Sequence, residues 1–166
     1  MLETERQILR RPEPADLAGW TSFFTSERAR FVGGGEGKAD LAWRVFAIFL
    51  GHWSINQTGP FIVCRKDTGG AIGSAGPWYP SGWPEKELTW SIWSPEAAGR
   101  GFAREAVVSL RDHVLGDLNW ARAVSYIYPE NMASIRLAER IGCVLDESAL
   151  APDDDPTLVY VHRQAV

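Results

Sequence analysis

Apolar positions along this chain follow two different periods, and the switch between them marks its most informative stretch. From Glu87 to Ser91 the polar residues Glu87, Thr89 and Ser91 alternate with Leu88, Trp90 and Ile92, which predicts a strand with one apolar face. Just beyond, Ala103, Ala106, Val107, Leu110 and Val114 fall on one helical face, so a strand feeds a helix through Gly99 and Gly101. Upstream, Thr4 to Arg10 predicts a strand and Ala15 to Ser26 a helix started by Pro14 and Asp16. Leu41, Val45, Ile48 and Phe49 define a second helix over Ala39 to Trp53. Phe61 to Cys64 and Ala71 to Gly76 form a hairpin around the turn at Asp67 to Gly70. Downstream come a strand at Arg122 to Tyr128, a helix capped by Asn131 and closed by Gly142, and a last strand at Thr157 to Arg163. That order predicts an α/β or α+β domain around one mixed sheet.

Composition narrows the function classes. With 166 residues, 45% of them hydrophobic, the chain suits a single domain, 1–166, with its own core. A formal charge of -4 gives no basic footprint for a phosphate backbone, so no nucleic acid is expected as a partner. Neither a run of about 18 apolar residues nor a signal-like start is present, so the expectation is a cytoplasmic protein without a membrane partner. Cys64 and Cys143 are too far apart for a local metal or redox motif and read as buried thiols. No metal constellation appears, and His52, His113 and His162, each isolated, read as surface or helix-end residues. The glycine-dense FVGGGEGK lacks the Ser or Thr that would complete a P-loop and reads as a mobile loop.

Chemistry is concentrated in IWSPEAAGRGFAREA, Ile92 to Ala106. Small residues at Gly99, Gly101 and Ala103 let backbone approach a ligand where a helix begins. The unpaired N–H groups of that first turn carry about half a positive charge and suit a diphosphate, with Arg100 and Arg104 at the rim. A dinucleotide fingerprint does not fit, because the third glycine position falls on Arg104. Alone, the glycine turn is equally a tight strand-to-helix connection.

The string AGRGFA, Ala98 to Ala103, resembles the signature of the GNAT superfamily of acyl-CoA-dependent N-acetyltransferases: Gln or Arg, two residues, Gly, one residue, Gly or Ala. ELTWSIWSPEAAGRGFAREA together with NMASIRLAERIGC looks most like the branch that acetylates ribosomal-protein N termini. The resemblance implies a mostly antiparallel sheet, splayed at the coenzyme site and flanked by helices, with acetyl-CoA as co-substrate and no metal. Backbone amides of Gly99, Arg100, Gly101, Phe102, Ala103 and Arg104 would then hold the coenzyme diphosphate. Main chain near Ile92, Trp93 and Ser94, with Asn131, would meet the pantetheine arm. Asn131 serves equally as a helix N-cap, and the two roles are compatible. Three departures stand out: Ala98 replaces Gln or Arg, Ala138 occupies the place of a tyrosine acid common in the superfamily, and Cys143 replaces an aromatic.

Amine acetylation needs a base, a polarised carbonyl and a proton for the thiolate. The resemblance points to Glu87 as base and to Ser134, one turn before Ala138, as acid; a solvent-facing carboxylate and a first-turn serine are the plain alternatives. An N–H near Trp93 is the candidate carbonyl donor. Among eight tryptophans, Trp78 and Trp83, with Tyr79, lie in the Pro- and Gly-rich loop where a family member lines its acceptor channel. The FVGGGEGK loop would be a lid, and the acidic Ala151 to Pro156 a solvated turn or a lure for a cationic acceptor. The leading expectation is direct transfer to a primary amine, on a protein N terminus or a small molecule. A non-catalytic acyl-CoA-binding module and a plain interaction domain stand as alternatives, and oligomeric state, a homodimer included, stays open.

Overall fold

The computed structural model describes residues 1–152 and 156–163. Its strands are β1 (Leu2–Glu3), β2 (Gln7–Arg10), β3 (Phe61–Arg65), β4 (Ala71–Trp78), β5 (Glu87–Ile92), β6 (Val124–Ile127), β7 (Val144–Leu145) and β8 (Leu158–Val161). Its helices are α1 (Leu17–Phe24), α2 (Ala39–Ile55), α3 (Phe102–Asp112) and α4 (Met132–Arg140). The strands join one sheet in the order β1-β2-β3-β4-β5-β6-β8-β7. Every neighbouring pair is antiparallel except β5 and β6, which run parallel. The architecture is therefore the mixed, mostly antiparallel sheet with flanking helices that the sequence predicts.

Both sheet faces are covered, which explains why β3 is apolar at successive positions. Phe61 and Val63 pack with Leu88, Phe102, Ala106 and Leu110 beneath α3. Ile62 and Cys64 pack on the opposite face with Trp20, Phe24, Phe46 and Phe49 from α1 and α2. A third cluster joins α4 to the sheet through Ile127, Ile135, Ala138 and Tyr160.

Element boundaries differ from expectation where side chains take over backbone hydrogen bonding. The single strand expected at Thr4 to Arg10 is two, split by a turn in which Thr4 N–H donates to the Gln7 carbonyl at 3.0 Å. Thr4 Oγ1 in turn accepts from Gln7 N–H at 3.1 Å. The first helix starts later than expected, after a 3-10 turn at Pro14–Asp16. There the Asp16 carboxylate accepts from Glu13 N–H and from the Arg10 guanidinium. β1 and β7, two residues each, are too short to carry a period.

The parallel pair β5 and β6 is paired at one position only, Glu87 with Val124. Val124 N–H donates to the Lys86 carbonyl at 3.0 Å, and beyond that the strands part. At the parting point the Ser125 hydroxyl donates to the Leu88 carbonyl at 2.5 Å, taking the place of a ladder N–H. His162 Nε2 lies 2.8 Å from the same hydroxyl oxygen, and its Nδ1 lies 3.4 Å from Cys143 Sγ. Because the Ser125 proton is committed to Leu88, His162 donates from Nε2 and its Nδ1 accepts from the Cys143 thiol. His162 is thus a buried core residue rather than a surface one, and burial pushes its pKa down to about 4. The same burial pushes the Cys143 thiol up to about 11.

The glycine-rich segment is not the loose loop its composition suggests. Gly34 N–H donates to the Ala29 carbonyl at 2.9 Å, Gly35 N–H to the Phe24 carbonyl at 2.8 Å, and Lys38 Nζ to the Gly33 carbonyl at 2.9 Å. A Cβ on Gly34 would stand 2.3 Å from the Phe24 carbonyl oxygen and 2.5 Å from Ala29 Cβ, so the segment is packed against the end of α1. Gly34→Ala is expected to destabilise the protein by about 1–3 kcal/mol. Gly51→Ala, inside α2 with open space at the new Cβ, should stabilise it by about 0.5–1 kcal/mol. Urea unfolding midpoints of the two variants check both signs.

Candidate functional site

The strand period places the chemistry. Leu88, Trp90 and Ile92 join the cluster under α3, so the alternate residues Glu87, Thr89 and Ser91 face the layer made by α1 and α2. That puts a stripe of polar groups under an aromatic roof, an arrangement packing alone would not select. A cleft of about 320 Å³ runs along this stripe and into the gap between β5 and β6. Its roof and end wall include Trp20, Phe49, Trp78 and Trp83, and Phe31 to Gly33 close one side.

Glu87 is buried, 7% exposed, so the solvent-facing alternative does not hold. Trp83 Nε1 donates to its Oε2 at 2.9 Å, and the Tyr126 backbone N–H also supports the carboxylate. Burial nonetheless outweighs these donors and pushes its pKa up to about 8. Neighbouring Glu85 plays a different part, forming an ion pair with Arg122, which also reaches Asp146 at 2.8 Å. Trp78 is held by a ring stack on His52, with centroids 4.8 Å apart and planes 1° from parallel. His52 stands in the last turn of α2, the helix-end place expected of it, and is buried there rather than superficial: its Nδ1 lies 3.2 Å from the Ile48 carbonyl and its Nε2 accepts Tyr79 N–H at 3.0 Å. Burial lowers its pKa and keeps the ring neutral. Tyr79 itself is exposed and lies outside the cleft lining, so of the three loop aromatics only Trp78 and Trp83 reach the cleft.

On the far side of the gap, Asn131 Oδ1 caps α4 by accepting Ser134 N–H at 3.2 Å, and both residues line the cleft. Trp90 Nε1 donates to Ser134 Oγ at 3.2 Å. With its oxygen occupied by that donor, the hydroxyl proton is left to point to another acceptor. Ala138 is fully buried in the α4 cluster, where a tyrosine would displace core packing. Since the side-chain hydroxyl of Ser125 serves the Leu88 carbonyl, main-chain groups of Trp90 face the opened edge with no ladder partner from β6.

The glycine turn predicted ahead of α3 is present, with the Arg100 N–H turned onto the Ala97 carbonyl at 3.4 Å rather than outward. Gly99 and Gly101 both take left-handed φ, 74° and 82°, and Gly101 is the N-cap of α3. The first α-helical bond is Glu105 N–H to the Gly101 carbonyl at 3.1 Å, which leaves the amides of Phe102, Ala103 and Arg104 ahead of the ladder. Arg100 and Arg104 are exposed at its rim. Arg6 adds a charge no local motif announced: its guanidinium lies 4.5 Å over the Phe102 ring and donates to the Arg100 carbonyl at 3.2 Å. Glu105, which would oppose an anion, is neutralised by Arg6 at 2.7 Å.

Trp93 and Ser94 correct the sequence expectation. Their N–H groups both turn back onto the Ile72 carbonyl, at 2.7 and 3.3 Å, so neither donates into the gap. The carbonyls of Ile92 and Trp93 accept from Arg28, at 2.9 and 2.5 Å, and the Trp93 ring is buried against Trp20. The centre of the acidic stretch, Asp153 to Asp155, lies outside the described residues. Residues the sequence did not single out are Tyr126, Ser125 and Arg28. Tyr126 and Ser125 carried only a strand's alternation, and Arg28 no motif. Among the described residues no group of three or more His, Cys, Asp and Glu side chains is placed to hold a metal ion, and no helix is long and apolar enough to cross a membrane.

Burying Glu87 has a thermodynamic signature. The native state keeps its proton up to about pH 8, whereas the unfolded chain releases it near the ordinary value of 4.5. Between those limits the native state binds more protons, so this residue makes stability fall as pH rises. Glu87→Gln should flatten that fall between pH 5 and pH 8 and leave the variant at least as stable as the parent at pH 8. Unfolding midpoints at the two pH values give the comparison; an unchanged slope would show that Glu87 ionises freely.

Known proteins share this fold. The model of the acetyltransferase (GNAT) domain matches residues 6–144. No curated protein matches the chain. The fold is similar to that of an acetyltransferase from Agrobacterium tumefaciens, at 38% identity and a TM-score of 0.91, covering 98% of this chain and 94% of that one. It is also similar to a ribosomal-protein-S5-alanine acetyltransferase from Vibrio fischeri, at 16% identity and a TM-score of 0.71, covering 97% and 94%. A spermidine N-acetyltransferase from Vibrio cholerae, bound to CoA and spermine, shares the fold at 19% identity and a TM-score of 0.71, covering 93% and 92%. Given the match over residues 6–144 and the 38% identity along nearly the whole chain, this protein belongs to the GNAT family and is an acyl-CoA-dependent N-acetyltransferase.

Proposed function

We propose that this enzyme moves an acetyl group from acetyl-CoA directly to a primary amine, with both substrates bound across the gap between β5 and β6. The observation that carries this reading is the pairing of two unlike groups on opposite sides of one cleft: the buried Glu87 carboxyl and the Ser134 hydroxyl. Amides at the start of α3 hold the coenzyme diphosphate, and the unpaired edge of β5 near Trp90 meets the pantetheine. A cytoplasmic setting suits two free, buried thiols.

In its ionised form, which gains ground as pH approaches about 8 and which the positive charge of a bound ammonium favours, Glu87 takes a proton from that ammonium. A carboxylate of ordinary pKa lies roughly 6 units below an alkylammonium, a gap that a value of about 8 narrows to about 2. The neutral nitrogen then attacks the thioester carbon, and the C–S bond breaks as the C–N bond persists. The departing sulfur takes the Ser134 proton, which is replaced by the second proton shed from nitrogen; Glu87 returns the first to solvent. Direct transfer is favoured over an acetylated cysteine because Cys64 and Cys143 are buried and burial raises both thiols.

Acetyl-CoA at 100 times its dissociation constant should add about 2.7 kcal/mol, raising the unfolding midpoint by about 5–10 °C, with ATP and NAD without effect. Glu87→Gln should lower kcat by about 100-fold or more, and Ser134→Ala by about 10-fold or more, while the acetyl-CoA shift is retained. Free-thiol release measures the rates. Retention of turnover in Glu87→Gln would remove the base assignment, and a shift without any turnover on amines would favour a coenzyme sensor.

A further inference from the structure

An aliphatic hydroxyl gives up a proton far less readily than a carboxyl or a phenol, so a serine serves as an acid only where its surroundings favour the oxyanion it leaves. Three features of Ser134 do so. It is the third residue of α4, in the first turn, where the helix end carries partial positive charge. Its N–H donates to Asn131 Oδ1 at 3.2 Å, which fixes that turn. Its Oγ accepts from Trp90 Nε1 at 3.2 Å. An indole N–H is a donor only, so this bond cannot reverse, and the serine proton is directed away from the ring.

The sheet holds the indole in place. Trp90 is partly buried and packs against both the cluster under α3 and the cluster that joins α4 to the sheet. Its ring stands edge-on to His162, with centroids 6.4 Å apart and planes at 83°. His162 is itself fixed, by Nε2 on the Ser125 hydroxyl at 2.8 Å and by Nδ1 against the Cys143 thiol at 3.4 Å. The residues that satisfy the parting of β5 and β6 therefore also set the ring that reaches from β5 to the start of α4. Trp90 and Ser134 both line the cleft, so their bond borders the space where transfer takes place.

We propose that Trp90 is a positioning residue for the leaving-group step: its indole N–H holds the Ser134 hydroxyl with the proton turned to the departing sulfur and stabilises the oxygen while that proton is away. This rests on the acid role given above to Ser134 and names the residue through which that role works. As the C–S bond breaks, its electron pair goes to sulfur and sulfur takes the Ser134 proton. Negative charge passes to Oγ until the second proton from nitrogen replaces the one lost. The Trp90 bond strengthens as that charge develops, because a hydrogen bond to an ionised acceptor is about twice as strong as one to a neutral acceptor. Since the bond acts on the leaving-group side, its effect is the same whichever amine is acetylated.

Thiol release from acetyl-CoA is measured with spermidine, kanamycin and an alanine-initiated tetrapeptide as amines, and with water alone. Trp90→Phe keeps a ring and removes the N–H; it should lower kcat about 10-fold, by the same factor on every acceptor turned over, and leave the KM for acetyl-CoA within about twofold. In a Ser134→Ala background the same substitution should change kcat by less than about twofold, because the oxygen it acts on is gone. Trp90→benzothienylalanine, which keeps the ring shape with sulfur in place of the N–H, should reproduce both results even where Phe loosens the core. Losses that multiply in the double variant, or that fall on KM rather than kcat, show a packing role and overturn the proposal, as does full kcat in both Trp90 variants. If Ser134→Ala keeps its kcat, the acid role on which this rests fails first. If no acceptor, water included, takes the acetyl group, the reading of the cleft fails and this proposal with it.

Discussion

The parting of β5 and β6 after a single paired position is the constraint on which the site depends. Separating parallel neighbours inside a sheet leaves main-chain donors and acceptors without partners, a cost that a buried core does not ordinarily tolerate. Here the first orphaned acceptor, the Leu88 carbonyl, is satisfied by the Ser125 side chain, and that hydroxyl is fixed in turn by His162 and Cys143. The remaining edge near Trp90 opens toward the carboxyl ends of both strands. There α3 and α4 begin, so their N-terminal amides border the same opening. A gap in the sheet thus becomes a place where a pantetheine arm can complete the ladder and a diphosphate can meet unpaired N–H groups.

The same strand that opens the sheet also sorts its two faces. Its apolar residues secure β5 to α3, while Glu87, Thr89 and Ser91 are left under α1 and α2, where aromatic rings exclude water. That low-polarity setting raises Glu87 to about 8 despite two hydrogen-bond donors. Stability is given up for basicity: the feature that makes the carboxyl a stronger base is the one that makes its charged form unwelcome in the fold. Trp83 both narrows the cleft and holds this carboxylate. His52 fixes Trp78 without entering the cleft itself.

Fold similarity does not select the acceptor. Proteins whose solved structures resemble this one at 16% and 19% identity are named for a ribosomal protein's alanine and for spermidine, acceptors that differ in size and charge. What separates them must lie in side chains placed on a shared frame. In this chain those include the aromatic walls and the buried carboxyl of Glu87.

The sequence by itself determined the order of elements, the strand-to-helix switch at Glu87 to Ala106 and the glycine turn that starts α3. These depend on local period and on φ preferences that neighbouring residues express without help. It also pointed to Glu87, Asn131 and Ser134, but only through the resemblance of their surroundings to a family. Tertiary structure alone decided that Glu87 is buried while Glu85 is paired with Arg122, two glutamates that local sequence cannot distinguish. It turned the Trp93 and Ser94 amides away from the gap, pinned the glycine segment against α1, and buried His52 and His162. It also joined His162 to Cys143 and Ser125. Each of these follows from contacts between segments far apart in the chain, where desolvation and hydrogen-bond partners are set by packing that no local pattern encodes.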